Sequence, residues 1–385
     1  MIPYSRQSIS EDDIQAVVEV LKSDFLTQGP VVPRFEQAVA DYCRASHAVA
    51  VNSATSALHL ACLALDVKPG DIVWTSPITF VASANCALYC GASVDFVDID
   101  PDTYNLSVER LTEKLAEAES QSRLPKVVIP VHFGGLSCDM VAIRELSRRY
   151  GFKIIEDASH AIGGRYCGEP IGNCRYSDIA VFSFHPVKII TTGEGGIAVT
   201  NDIELARRMA LLRSHGITRD ANQMTHEPDG PWYYQQIELG FNYRMTDLQA
   251  ALGLSQLKRL DAFVERRHQL ADLYRKRLID LSVNWQLQPD ECRSSLHLFV
   301  IRLQNSRIGK SHLEVFRLLR NAGIGINMHY IPVHLQPYYK NKGFKLGDYP
   351  EAERYYAEAI SLPLYPDLTE WQLCEVAKVL GASLN

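Results

Sequence analysis

The stretch KVVIPVHFGGLSCDMVAIRELSRRYGFKIIEDASH, residues 126–160, reads as one strand–helix–strand unit. Val127-Val128-Ile129-Pro130-Val131 is continuously apolar, as a parallel strand buried on both faces must be. Met140–Tyr150 carries apolar residues at helical spacing. Lys153–Glu156 is again short and apolar, and it runs into two carboxylates, Glu156 and Asp157, then the imidazole of His160. The alternation extends outward in both directions. Candidate strands at Ala48–Asn52, Asp71–Thr75, Ser93–Val97, Asp178–Phe184 and Gly196–Thr200 are separated by helical patterns such as Ser56–Leu65 and Val108–Glu117. This predicts βαβ units and an α/β fold with a mainly parallel sheet covered on both faces.

A long helical pattern then spans Thr246–Leu278, with Thr246 or Asp247 placed to cap it. Beyond it, a strand at Leu296–Leu303, a helix at Lys310–Ala322, a short strand at Gly325–Met328 and two terminal helices make a smaller α+β unit. The expected division is a large domain over 1–250 and, over 251–385, the long connecting helix with a small C-terminal domain. The polar, Gly- and Pro-containing stretch 217–235 reads as a mobile insertion.

Composition narrows the partners. The 385 residues are 46% hydrophobic, and 39 Lys+Arg against 45 Asp+Glu leave a net charge of −6. A general electrostatic grip on nucleic acid or an anionic membrane is not expected. No apolar run approaches the roughly 18 residues of a membrane span, and the opening residues lack a signal-peptide layout. Nine scattered cysteines with no C-x-x-C indicate neither a disulfide framework nor a thiolate metal site, so a reducing cytoplasm is expected.

The common nucleotide-hydrolase, dinucleotide, serine-hydrolase and zinc-protease motifs are absent. Three segments carry chemistry instead. Asp157 ends a strand, where α/β sheets bind ligands. Ser183-Phe184-His185-Pro186-Val187-Lys188 puts an amine at the exit of a buried strand, where desolvation lowers its pKa and makes it nucleophilic. Asn52-Ser53-Ala54-Thr55-Ser56 feeds a strand end into a helix N-terminus, a ready anion site. An amine, a carboxylate and a phosphate cradle at neighbouring strand ends are what pyridoxal 5′-phosphate requires.

Together EDASH (156–160), SFHPVK (183–188), TTGEGG (191–196) and GFNYRMTDLQAALG (240–253) resemble the DegT/StrS family of sugar-nucleotide aminotransferases. Within it, HPVKIITTGEGG and LRSHGI (212–217) most resemble the branch of pseudaminic acid biosynthesis. The resemblance covers essentially the whole chain. It implies the fold type I architecture of pyridoxal-phosphate enzymes (aspartate-aminotransferase-like) and a homodimer with shared active sites. It makes Lys188 the Schiff-base and proton-transfer lysine and Asp157 the partner of the pyridinium nitrogen. It places His160 near the ring oxygen, Phe80 on the ring face, and Ser183, Ala54 and Thr55 at the phosphate. The family often has glycine where this chain has Ala54; alanine still offers its N–H. Asn242 would reach the phosphate of the partner subunit, with Arg244 supporting that loop. Substrate contacts would gather from Tyr4, from Leu26, Thr27, Gln28 and Gly29, and from Met328, His329, Tyr330 and Ile331. His185 and His215 would approach the sugar or support Lys188, and the remaining histidines read as structural.

The implied reaction is ping-pong transamination through pyridoxamine 5′-phosphate. L-Glutamate would be the donor and a nucleotide-linked 4-keto-6-deoxy sugar the acceptor. The specific expectation is UDP-2-acetamido-2,6-dideoxy-β-L-arabino-hexos-4-ulose, giving UDP-4-amino-4,6-dideoxy-N-acetyl-β-L-altrosamine. Alternatives are another UDP-4-keto sugar, a GDP-linked 4-keto sugar or a 3-keto sugar. The 3-dehydratase branch, with histidine for lysine, is opposed by Lys188. A cofactor-binding regulatory protein is opposed by the missing basic domain.

Overall fold

A computed structural model describes residues 1–384. Seven strands form the central sheet: β1 (His47–Val51), β2 (Ile72–Thr75), β3 (Ser93–Phe96), β4 (Val127–Ile129), β5 (Lys153–Asp157), β6 (Ile179–Ser183) and β7 (Gly196–Thr200). Their order is β1-β7-β6-β5-β4-β2-β3. The neighbours β6, β5, β4, β2 and β3 pair in parallel, while β7 is antiparallel to both β6 and β1. The reversal of β7 has a covalent reason. Parallel neighbours need a long crossover, usually a helix, whereas the 184–195 connection has none and returns directly. All seven strands lie where the alternation predicts them.

Helices α1 (Glu11–Leu21), α2 (Val31–Cys43), α3 (Ala54–Ala64), α4 (Ala82–Tyr89), α5 (Val108–Ser120), α6 (Met140–Tyr150) and α7 (Ile203–Arg213) surround this sheet. Helix α3 is buried nearly all round, its residues Ala57, Leu58, Leu60, Ala61 and Cys62 all within the core.

The long helix expected over 246–278 is two helices, α8 (Asp247–Leu257) and α9 (Leu260–Leu278). Thr246 caps α8 in a reciprocal arrangement with Gln249. The chain breaks at Lys258–Arg259 because the two halves serve different neighbours. Helix α8 lies on α1 and α2 through small residues, with Gly253 close against Phe35. Helix α9 buries Leu260, Phe263 and Val264 in the sheet's core, then Leu270, Tyr274 and Leu278 in a second core. That second core belongs to an antiparallel sheet of β8 (Val283–Trp285), β9 (Phe299–Leu303) and β10 (Ala359–Leu362), with α10 (His312–Asn321) and, at the C-terminus, α11 (Pro350–Glu358) and α12 (Glu370–Leu384) beside it.

The strand expected at Gly325–Met328 is not formed; only isolated bridges link Ile2 to Ile324 and Asn327 to Ser361. Asn327 Oδ1 takes the Met328 N–H at 2.9 Å, which removes the next ladder donor. The chain's first residues share this region, since Ile2 exchanges backbone hydrogen bonds with Gly323 and Gly325 at 2.9 and 2.6 Å. In 217–235, Ile217–Thr218 pairs antiparallel with Gln235–Gln236, closing the stretch at its base.

Candidate active site

Strands β1, β4, β5 and β6 end at one edge of the sheet, and β7 begins there. A cavity of about 990 Å³ opens at that edge. It is lined by Ala54 and Thr55 after β1, Val131 after β4, Asp157 at the end of β5 and His160 beyond it, and Ser183 at the end of β6 and Lys188 beyond it. Gly196 opens β7 against the start of α3. A Cβ there would collide with the backbone of Ser53 and Ala54, so only glycine lets the two approach.

Successive residues of a strand face opposite sides. Asp157 faces the cavity, where Ser83 Oγ donates to Oδ2 at 2.5 Å and the Ser159 N–H donates to Oδ1 at 3.1 Å. Glu156 faces away, into a buried set with Ser177 Oγ at 2.5 Å and His132 Nε2 at 2.7 Å. The two adjacent carboxylates therefore have different tasks.

Helix α3 presents its first N–H groups to the cavity. Ser53 Oγ accepts from Ser56 N at 3.1 Å and the Ser53 carbonyl accepts from Ala57 N, leaving the N–H groups of Ala54 and Thr55 without intrahelical partners. The Lys188 side-chain amine makes no hydrogen bond or ion pair among the described residues. Burial pushes its amine down from 10.5 to about 8, partly opposed by the Asp157 carboxylate.

Imidazoles surround this amine. His160, His297 and His329 are each at least nine-tenths buried. Burial lowers all three, with the nearby Lys188 adding to the effect, and takes His329 to about 3. They are neutral near pH 7. His160 Nε2 lies 3.1 Å from Tyr330 Oη, and burial raises that phenol above its ordinary range.

The structure brings Tyr4, Ala54, Thr55, Phe80, Asp157, His160, Ser183, His185, Lys188, Met328, His329 and Tyr330 to this one cavity. The other expected contacts lie outside it within a single chain. Leu26, Thr27 and Gln28 are exposed, and Gly29 is tied by its N–H to Asp247 at 2.6 Å. His215 is exposed at φ +63°, its N–H bound to the Phe241 carbonyl. Asn242 is exposed and bridges Ser214, and Ile331 is 45% exposed. None of these residues lines the cavity of its own chain.

Sequence reading missed four side chains of the site. Ser83 on α4 reaches Asp157 from 74 residues away. His297, read as structural, lines the cavity with its ring centroid 4.4 Å from that of His160 and its Nδ1 without a partner. Asn327 and Gln249 also face the cavity. Ser83, His297 and Asn327 stand in none of the quoted motifs, and Gln249 falls within 240–253 without anything there that marks its side chain.

The residues suit a ring with an acidic nitrogen at one end and an anion at the other. Asp157 has its outer bonds satisfied, Lys188 is unpaired, and two free N–H groups sit on α3 with Ser183 nearby. Solved structures of this fold include pyridoxal-phosphate and pyridoxamine-phosphate forms, at TM-scores of 0.87 and 0.89 and 30% identity.

Relatives agree with this geometry over the full length. The spore coat polysaccharide biosynthesis protein SpsC of Bacillus subtilis is 40% identical over 98% of this chain and 96% of its own. The UDP-4-amino-4,6-dideoxy-N-acetyl-β-L-altrosamine transaminase of Campylobacter jejuni is 39% identical over 96% of this chain and 93% of its own. Helicobacter pylori PseC, an aminotransferase involved in the biosynthesis of pseudoaminic acid, superposes with a TM-score of 0.90, 30% identity and coverage of 100% and 99%. Residues 7–381 match the model of the DegT/DnrJ/EryC1/StrS aminotransferase family. The chain belongs to that family and is a pyridoxal-phosphate-dependent sugar aminotransferase.

Proposed function

We propose that the chain transfers an amino group from L-glutamate to C4 of a UDP-linked 4-keto-6-deoxy sugar, UDP-2-acetamido-2,6-dideoxy-β-L-arabino-hexos-4-ulose. The observation that carries this is the unpaired Lys188 facing Asp157 in one cavity, in a chain 39% identical to the Campylobacter altrosamine transaminase. Pyridoxal phosphate, when bound, supplies an electron sink for the bond broken at the substrate carbon. Lys188 attaches the cofactor and moves the proton at the reacting carbon. An amine near 8 holds an appreciable neutral fraction at physiological pH, as a general base requires. Asp157 holds the ring nitrogen, braced by Ser83 and Ser159. Ala54, Thr55 and Ser183 bind the phosphate, Phe80 covers the ring, and His160 stands by its oxygen. Tyr4, His185, Met328, His329 and Tyr330 form the sugar side of the cavity.

The proposed active form is a cytoplasmic homodimer in which Asn242 serves the partner's phosphate. The segments 26–29, His215 and Ile331 would likewise act across the interface. Exposed Trp232, Tyr234 and Leu239, near the Asn242 segment in the chain, favour a covered face there.

The 40% identity to SpsC supports a second reading, a different nucleotide keto sugar in the same chemistry. A panel of UDP-, GDP- and dTDP-linked 4-keto sugars and their 3-keto counterparts with glutamate separates the two. Turnover of the named UDP sugar at least tenfold above every other member is the expected result, and preference for another nucleotide or a 3-keto sugar overturns it.

A further inference from the structure

His160 has both ring nitrogens engaged. The Gly134 N–H donates to Nδ1 at 3.3 Å, and Nε2 lies 3.1 Å from Tyr330 Oη. A backbone N–H can only donate, so Nδ1 is held without a proton and Nε2–H points at Tyr330. Tyr330 Oη then accepts, which leaves its own proton directed elsewhere in the cavity. A second proton on His160 would set two N–H groups against each other at Nδ1, besides placing a buried cation near Lys188.

The Gly134 N–H is aimed by a tight turn, Phe133–Gly135, whose glycines sit at φ +66° and +99°. Two side chains from distant segments hold that turn. Asn105 Oδ1 accepts the Phe133 N–H at 2.9 Å. Gln286 Nε2 donates to the carbonyls of Phe133 at 3.1 Å and Thr103 at 2.7 Å. Gln286 Oε1 lies 3.0 Å from where a Cβ on Gly134 would be, so the amide closes directly over the turn. Gln286 follows β8, is 9% exposed, and forms part of the wall of a groove separate from the active-site cavity. Opposite the turn, Ser295 Oγ donates to the His160 carbonyl at 2.7 Å and the Ser295 N–H to the Gly135 carbonyl at 3.0 Å.

We propose that Gln286 is a positioning residue for the transamination: by holding the Phe133–Gly135 turn it fixes the tautomer and orientation of His160, and through Tyr330 the donor presented to the cavity. The proposal rests on the reading of this cavity as the reaction centre. It gives the β8 side of the molecule a part in the chemistry although Gln286 does not line the cavity. The groups facing His160 that bear on its protonation are Lys188, His297, His329 and Tyr330.

The test uses the full-length chain labelled with nitrogen-15 histidine, with and without pyridoxal phosphate, the His160 signals being assigned by comparison with His160→Asn. The wild type is expected to show His160 neutral, with the proton on Nε2, through the range in which an exposed histidine titrates. Gln286→Met keeps the volume and removes the donors; Gly134→Ala pushes the same turn from within. Both are expected to give mixed tautomers or a ring that titrates in the range of an exposed histidine. In Gln286→Met kcat should fall about five- to tenfold with KM for the donor within about twofold, the scale of one lost hydrogen bond. Gln304→Ala, on the same groove, should change neither readout. A wild-type ring protonated on Nδ1 overturns the proposal, and so does an unaltered tautomer and pH profile in a folded Gln286→Met. If Gly134→Ala fails to fold, Gln286→Met decides alone. Absence of a pyridoxal chromophore or of transamination in the wild type overturns the functional reading instead, because the histidine signals do not depend on turnover.

Discussion

Lys188 is costly to bury as a cation, and the sign of that cost can be measured. Its amine falls from 10.5 in an unfolded chain to about 8 in the fold. Between those values the unfolded chain holds a proton that the folded chain has released, so stability rises with pH across that window. Below pH 8 the penalty is fully present. In apo protein Lys188→Met should therefore raise unfolding stability at pH 7, by up to about 3 kcal/mol, and raise it far less at pH 10.5; urea unfolding at both values checks this. Reductive methylation of apo protein should likewise label Lys188 ahead of surface lysines at pH 8. Ser83 gives the matching prediction for Asp157. Ser83→Ala removes a charge-assisted hydrogen bond of 2.5 Å and should weaken pyridoxal phosphate binding about tenfold or more, read by absorbance titration. The places of Lys188 and Asp157 in the cavity were legible in the sequence because Asp157 ends one apolar strand run and Lys188 closely follows another, and strand ends sit at one edge of a parallel sheet. Ser83 and His297 were not. They reach the site from other elements, through packing that no local spacing encodes.

The inner strands were readable because burial on both faces leaves apolar runs, while the edge strand β3, Ser93–Phe96, alternates with Ser93 exposed. The Lys258–Arg259 break was not readable. A helical pattern with no proline looks continuous even where its two halves turn toward different cores. Asp247 shows what the pattern hides. It was read as one of two possible caps of α8, yet its fully buried carboxylate reaches back to accept the N–H groups of Gly29, Val31 and Val32 at 2.6, 2.7 and 2.9 Å. It thereby caps α2 and pins the 26–30 segment to the start of α8. Asp247→Ala should leave those donors without their carboxylate and cost about 3 kcal/mol in urea unfolding. Its effect on activity should exceed its effect on stability, since the proposed cross-subunit segment 26–29 loses its anchor. An equal loss in a variant that unsettles α2 elsewhere, such as Phe35→Ala, would remove the special role of that anchor.

At the scale of the molecule, net charge and pocket chemistry diverge. The chain carries −6, and among the described residues lining the cavity Lys188 is the one lysine and there is no arginine. Yet the proposed cofactor and substrate are both anions. Backbone N–H groups of α3 and hydroxyls can hold one phosphate, and the proposed dimer would add polar groups from the partner chain. In that proposal the residue is Asn242, which is exposed and outside its own cavity, with its carbonyl accepting from Asn52 Nδ2 at 3.4 Å. The shared site is a proposal, and subunit mixing tests it. Lys188→Ala chains contribute an intact Asn242, and Asn242→Ala chains an intact Lys188. If sites are shared across a two-fold interface, each mixed dimer regains one complete site, and random mixing restores about a quarter of wild-type activity. If each chain is self-contained, the mixture cannot exceed the mean of its two parents. Size-exclusion chromatography before and after mixing shows whether chains exchange. Recovery above the parental mean, appearing at the rate of exchange, is the expected outcome.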